Sequence, residues 1–105
     1  MRLGIREIAV LVCLLGPGVA CSQSISGAML GDTCAGCHGT QGAAVNVTIP
    51  PLAGMNAEQF VATMLAYRTG KQSGTIMNRV ARAYSDEEIN AMAEYFASFP
   101  TSTSK

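Results

Sequence analysis

The chain has 105 residues, which is enough for one small domain and too few for two. Seven basic residues balance seven acidic ones and only 13% of positions are charged, so the composition does not indicate nucleic acid or an anionic lipid surface as a partner. The chain contains four cysteines, too few for a disulfide framework once those of the N-terminal segment are set aside.

Residues 1–20 have the order of an export signal: Arg2 and Arg6, the apolar run IAVLVCLLG, and then the small residues of PGVA. The apolar run is too short to span a bilayer as a stable helix. We therefore expect its removal, which leaves a periplasmic protein of residues 21–105 without a transmembrane span. GVAC also resembles the end of a lipoprotein signal, although the usual leucine is missing. In that alternative, Cys21 carries a lipid anchor.

Three main helices separated by two long loops are predicted in the remaining chain. The first covers residues 24–38 and ends at Gly39. Its apolar residues at helical spacing are Ile25, Ala28 and Met29. The first loop follows, because the next stretch is rich in glycine and is interrupted by Pro50 and Pro51.

The second predicted helix begins after Asn56, a good N-cap residue, and stops at Gly70. The second loop, KQSGTIMNRVARAY, is expected to be irregular and to contain a helical turn. The third helix begins at Ser85, which has capping-box spacing to Glu88, and ends before Pro100. Its expected apolar face consists of Ile89, Met92, Ala93, Phe96 and Phe99. No convincing strand pattern occurs, so the fold class is all-α, with a disordered tail at the C-terminus.

The size of the mature domain indicates a large bound group. About 85 residues follow position 20, and domains of this size gain little stability from their own core. Two long loops are also unusual in so small a domain unless something holds them. We therefore expect a ligand that fills the core and organises both loops.

The segment TCAGCHGTQG contains Cys34, Cys37 and His38, the last being the chain's one histidine. A lone C-x-x-C can bind zinc with further ligands, or act as a thiol-disulfide couple. Zinc lacks a second cysteine or histidine pair here, and dithiol redox proteins place the motif beside a strand. The favoured interpretation is covalent haem attachment, in which both thiols bind the haem vinyl groups and the histidine binds the iron.

With no second histidine, methionine is the remaining soft ligand for the other axial position. The mature chain offers Met29, Met55, Met64, Met77 and Met92. Met29 precedes the motif on its own helix, and Met64 and Met92 lie on apolar helical faces, where methionine usually fills gaps in the core. Met77 lies in the second loop and is favoured over Met55, which follows the proline pair.

From residue 33 to residue 99 the sequence resembles class I c-type cytochromes, in particular the small haem subunit of bacterial flavocytochrome c sulfide dehydrogenase and related monohaem domains. The segments that carry the resemblance are CAGCHG, PPLAG, YRTGKQSGTIMNRVARAYSDEEI and AEYFAS. It implies one covalent haem c with Met77 as distal ligand, and a Pro50 carbonyl that holds the histidine N–H. It also implies that Tyr67 and Arg68 lie beside the haem, in reach of its propionates.

These ligands imply one-electron transfer by a low-spin haem rather than enzyme catalysis, since both axial positions are filled. The protein is then either a periplasmic or membrane-tethered carrier, or the cytochrome subunit that accepts electrons from a flavoprotein. The alternative is a five-coordinate haem sensor or enzyme without a distal methionine. Near Met77 lie four cations that are candidates for steering an acidic redox partner: Arg68, Lys71, Arg79 and Arg82.

Overall fold

The computed structural model of the chain describes residues 25–44 and 48–102. The predicted export signal, Cys21 and the last three residues of the tail lie outside these ranges. The elements in chain order are α1 (Gly27–Asp32), α2 (Ala35–His38), a 3-10 turn (Thr40–Gly42), α3 (Ala57–Thr69), α4 (Met77–Ala81) and α5 (Asp86–Ala97). Among the described residues there is no strand, which confirms the all-α prediction. None of the helices in this part of the chain is long and apolar enough to cross a membrane.

The predicted ends of the two longer helices are confirmed. Asn56 Oδ1 accepts a hydrogen bond of 3.1 Å from the backbone N–H of Gln59, and Gly70 ends α3 in the left-handed conformation with φ of 80°. At α5, the Ser85 hydroxyl accepts from the Glu88 N–H at 3.2 Å, and the Glu88 carboxylate accepts from the Ser85 N–H at 2.8 Å. These capping interactions fix both helix starts locally.

The single helix predicted over residues 24–38 is wrong, because a turn at Thr33 and Cys34 divides it into α1 and α2. The Thr33 hydroxyl donates a 2.6 Å hydrogen bond to Leu30 O, and the Thr33 N–H binds the same carbonyl at 3.1 Å. The Leu30 carbonyl is therefore occupied by Thr33 and is not bonded by the N–H of Cys34, as a continuing α-helix would require. The apolar spacing was also misleading: Ile25, Ala28 and Met29 are exposed.

The face of α1 that packs is built from small residues. A Cβ at Gly27 would overlap the Ala91 carbonyl oxygen, and one at Gly31 would overlap the ring of Tyr95. The absence of side chains at these two positions therefore allows α1 to cross α5 with its backbone nearly in contact. This crossing brings the start of α2, and with it Cys34, close to the core.

The core lies between α1, α3 and α5, and its largest fully buried side chains are Ile89, Met92 and Phe96. The rings of Phe60 and Phe96 are 5.6 Å apart at their centroids. Met64 and Met92 are 5% and 0% exposed, which confirms that they pack in the core. The predicted apolar face of the third helix is buried as well, apart from Phe99, which is half-buried.

Candidate functional site

Cys37 and His38 of the motif lie on the single turn of α2, and Cys34 is the N-cap residue of this helix. Cys34 stands at the start of this helix, and its carbonyl accepts hydrogen bonds from the N–H groups of Cys37 at 3.2 Å and His38 at 2.9 Å. Cys34 is half-buried, Cys37 is exposed, and His38 is buried with 8% of its surface accessible. The helical turn thus presents two free thiols and one buried imidazole from five consecutive residues.

The environment of Cys34 does not activate its thiol. Burial raises the pKa of Cys34, the hydroxyl of Thr33 lowers it, and the neighbouring Cys37 raises it further. Dithiol redox motifs lower the pKa of the attacking cysteine instead. This environment does not support the dithiol alternative.

The imidazole of His38 is oriented by the proline loop. Its Nδ1 donates a 2.7 Å hydrogen bond to the carbonyl oxygen of Pro50, a group that can only accept. The hydrogen bond therefore requires a proton on Nδ1 and makes Nε2 the ring nitrogen that is available to a metal. A buried imidazole whose other ring nitrogen is held by a carbonyl is the arrangement that proteins use for a metal-binding histidine.

The proline loop is itself anchored to the core. Gly42 O accepts hydrogen bonds from the N–H groups of Leu52 at 2.7 Å and Ala53 at 3.2 Å. Gly54 N donates to the carbonyl of Phe96 in α5 at 2.9 Å. The carbonyl that orients His38 is therefore fixed by packing on both sides. Thr101, in the tail expected to be disordered, lies against Gly54.

The two methionine candidates both contact the core cluster from its partly exposed edge. Met77 is the first residue of α4, and Met55 follows the proline loop, where its N–H donates to Leu52 O at 3.1 Å. Both side chains are half-buried, so either has apolar surface left for a bound group. The choice of Met77 stays a prediction.

Tyr67 and Arg68 occupy the last turn of α3. The hydroxyl of Tyr67 accepts a 2.9 Å hydrogen bond from the side chain of Gln72. Arg68 donates to the carbonyl of Tyr84 at 3.2 Å and forms a short ion pair with Asp86. The Arg68 guanidinium is thus bound to groups at and just before the start of α5. The contact of Arg68 with the haem propionates stays a prediction.

A residue that sequence reasoning missed lies next to Met77. Asn78 forms three hydrogen bonds through its side chain amide, to the backbone of residues 67, 72 and 74. In the sequence it looks like an ordinary polar residue in a loop, and only its position directly after the favoured methionine could have drawn attention to it.

The donor set fits a covalently attached haem. Two thiols on one helical turn can bind two vinyl groups, and the free Nε2 of His38 can bind iron on the same side. In the described ranges, no group of three or more histidine, cysteine or acidic side chains is placed so that it could hold a metal ion. Fold and site together define a small all-helical protein built for C-x-x-C-H haem attachment.

The chain belongs to the cytochrome c family, whose model matches residues 26–100. It is 38% identical over 80 residues to the cytochrome subunit of sulfide dehydrogenase from Chlorobaculum tepidum, covering 76% of this chain and 72% of that protein. It is 43% identical over 67 residues to a thiosulfate dehydrogenase electron acceptor from Stutzerimonas stutzeri, covering 61% of this chain and 31% of that protein.

Among solved structures, the chain is similar to thiosulfate dehydrogenase TsdBA from Marichromatium purpuratum, with a TM-score of 0.67 and 28% identity over 94% of this chain. The chain spans only 26% of that structure and 31% of the thiosulfate dehydrogenase electron acceptor. Membership of the family establishes haem c as the cofactor and electron transfer as the general activity.

Proposed function

We propose that this chain is a one-electron carrier in which His38 and Met77 are the two axial ligands of haem c. The observation that carries the proposal is the hydrogen bond of 2.7 Å between His38 Nδ1 and the Pro50 carbonyl, which prepares Nε2 for iron. When bound, haem c supplies a one-electron couple, and thioether ligation favours its ferrous state.

The residues of this chain bind, orient and shield the cofactor. Cys34 and Cys37 hold it covalently, and His38 is kept in one tautomer and one orientation by Pro50. Several half-buried apolar side chains pack on the core and keep an exposed edge: Met55, Val61, Leu65, Tyr67 and Met77. Such an edge is suited to excluding water from a planar apolar group. With both axial positions filled, no side chain is required as an acid, base or nucleophile, so the protein is a carrier rather than an enzyme.

The electron donor we propose is a dehydrogenase that oxidises reduced sulfur, with a flavoprotein sulfide dehydrogenase as the first candidate. The support is the likeness to a cytochrome subunit of sulfide dehydrogenase. The match covers 72% of the length of that subunit. A thiosulfate dehydrogenase is the second candidate, because an electron acceptor of that enzyme is 43% identical over a shorter region.

The donor is tested by mixing the oxidised cytochrome with each purified dehydrogenase and its own substrate. We expect rapid reduction, followed at the haem absorption bands, and copurification at fixed stoichiometry with the flavoprotein partner. Fast reduction by the thiosulfate enzyme alone would transfer the proposal to the second candidate. Reduction by neither enzyme above the rate with substrate alone would overturn it.

The location we propose is the periplasm, on the support of the export-signal pattern in residues 1–20. The mass of the mature protein, isolated from a host that attaches haem c, tests it. Loss of about twenty residues is expected, and an added lipid mass on Cys21 would indicate a membrane-tethered form. An intact N-terminus would contradict removal of the signal.

The docking surface we propose is centred on Ile76, which is 60% exposed next to the favoured methionine. Arg79 and Arg82 line the same open depression, and neither forms an ion pair with another described residue. Arg68, by contrast, is paired with Asp86. An exposed apolar residue flanked by free cations suits a brief encounter with an acidic partner.

Arg79→Gln and Arg82→Gln should therefore lower the association rate at low salt by several-fold each, with little change at high salt. Lys71→Gln is the matched control, because it removes the same charge from a residue that does not line the depression. Equal slowing by all three changes would indicate a dependence on net charge and not on this surface.

A further inference from the structure

We propose that Asn78 is the positioning residue that holds Met77 ready to bind the haem iron. The inference rests on the proposed ligation by His38 and Met77 and adds a specific role for the residue that directly follows the methionine in the chain. Its basis is a set of hydrogen bonds around the loop of residues 70–76, here called the 70–76 loop.

The side chain of Asn78 is bonded on both of its polar atoms. Nδ2 donates to the carbonyl of Tyr67 at 2.8 Å and to the carbonyl of Gln72 at 2.7 Å. Oδ1 accepts from the N–H of Gly74 at 2.8 Å. One amide therefore connects the first turn of α4 to the last turn of α3 and to two points of the 70–76 loop.

The loop has little else to hold it. Every residue from 70 to 76 is exposed, so burial of apolar surface contributes little to its shape. Its other hydrogen bonds are short-range. Gly70 N donates to Tyr67 O, Gln72 N to Ala66 O, and the Gln72 side chain to the Tyr67 hydroxyl. Ile76 O accepts from the N–H groups of Arg79 and Val80 at the start of α4. The conformation of the loop between Gln72 and α4 therefore depends mainly on Asn78.

The position of Met77 follows from this arrangement. Met77 directly precedes Asn78, so fixing the amide of Asn78 fixes the backbone from which the methionine side chain extends. Gly74 also lies close to this point: a Cβ there would stand 2.9 Å from the ring of Tyr67 and 3.5 Å from the Cβ of Met77. The loop is thus drawn tightly over Tyr67, and the methionine is presented from one defined backbone position.

A positioning role predicts a change in the fraction of molecules with methionine bound to iron. Carbon monoxide binds reduced haem only where the sixth position is free, so its apparent affinity is scaled by the population without bound methionine. Each hydrogen bond of this kind corresponds to roughly a twofold to tenfold factor in an equilibrium constant. Asn78→Ala removes all three and should raise the apparent affinity for carbon monoxide about tenfold to a thousandfold.

The experiment compares carbon monoxide titrations of the reduced holoprotein for wild type, four single variants and one double variant. Asn78→Ala should bind much more tightly than wild type, and Asn78→Asp, which keeps the acceptor for Gly74 and loses both donors, should fall between them. Asn90→Ala is the matched control, because Asn90 donates one hydrogen bond of 2.8 Å to the Asp86 carbonyl in α5, away from the loop. It should leave the affinity unchanged. If Asn78→Ala yields no holoprotein, Asn78→Asp carries the test.

The fourth variant, Met77→Ala, separates positioning from general destabilisation. In that background the sixth position is already free, so adding Asn78→Ala should change the affinity less than twofold. Wild-type affinity in Asn78→Ala and Asn78→Asp, or an equal effect of Asn78→Ala in both backgrounds, would overturn the positioning role. If wild type already binds carbon monoxide as tightly as Met77→Ala does, the proposed ligation itself has failed.

Discussion

The histidine side and the methionine side of the proposed haem site are held by different forces. His38 is buried, and the carbonyl that orients it belongs to a loop packed against Gly42 and Phe96. Met77 is half-buried and follows a loop that is exposed throughout, with one asparagine amide as its main anchor. Packing fixes the first ligand, and exposed hydrogen bonds fix the second.

The difference indicates which ligand leaves first. Hydrogen bonds at the surface compete with water and contribute about 1 kcal/mol each, whereas a buried side chain in a packed core costs several times more to release. The proposed covalent bonds through Cys34 and Cys37 would add to the histidine side alone. We therefore expect the methionine side to open locally while the histidine side opens only on global unfolding.

The largest expected effect comes from disturbing the packing on the histidine side. Gly42 has φ of 73°, and a Cβ there would lie 2.8 Å from the Cβ of Leu52 and 2.9 Å from the ring of Phe96. Gly42→Ala should therefore lower the free energy of unfolding by about 2–4 kcal/mol, measured by urea denaturation of the holoprotein. Gly36→Ala is the control, because nothing lies within 4 Å of a Cβ at that position and its effect should be below about 1 kcal/mol.

A second prediction concerns the order of events in urea. The far-red sulfur-to-iron band should disappear at a lower urea concentration than the helical circular dichroism, because the 70–76 loop opens before the core. The free energy of this opening should lie at least about 1 kcal/mol below that of global unfolding. Coincident transitions in both signals would show that the two sides are equally fixed.

A smaller effect is expected at the ion pair between Arg68 and Asp86. Its side chains are 28% and 68% exposed, so a double-mutant cycle of Arg68→Met with Asp86→Asn should give a coupling of about 0.5–1 kcal/mol in stability. The reduction potential should change little in either variant. A shift in potential with Arg68→Met, absent with Asp86→Asn, would instead support the predicted contact with the haem propionates.

The smallest effect is expected from Pro50→Ala, because the carbonyl that accepts from His38 belongs to the backbone and is retained. Stability should change by less than about 1 kcal/mol. The proton on His38 Nδ1 should remain visible in the NMR spectrum of the reduced protein, because the retained hydrogen bond keeps its exchange with water slow. Its loss would show that the proline ring, and not only its carbonyl, orients the histidine.

Much of the fold could be predicted from local signals in the sequence. Ser85 with Glu88, Asn56 and Gly70 marked helix ends by chemistry that acts within four residues, and the structure confirms them. The C-x-x-C-H spacing likewise predicts that both thiols and the imidazole lie close together on one short helical turn. The division between α1 and α2 could not be predicted, because it depends on one hydroxyl, that of Thr33, taking the carbonyl of Leu30.

Interactions between segments that are distant in the chain could not be predicted from the sequence. The close crossing of α1 and α5 through Gly27 and Gly31 becomes visible only when the partner helix is placed. The same holds for Arg68, whose partner Asp86 is 18 residues away, and for Asn78, whose bonds go to backbone atoms that carry no sequence signal. Residue type predicts which bonds are available, and the fold decides which of them form.

The most direct test of the central claim is the visible spectrum of the oxidised holoprotein, recorded for wild type, Met77→Ala and Met55→Ala. We expect haem that survives denaturing electrophoresis in all three proteins, and a far-red sulfur-to-iron band that is present in wild type and Met55→Ala and absent from Met77→Ala. Loss of the band in Met55→Ala with its retention in Met77→Ala would contradict the assignment. A protein without covalent haem would contradict the account as a whole.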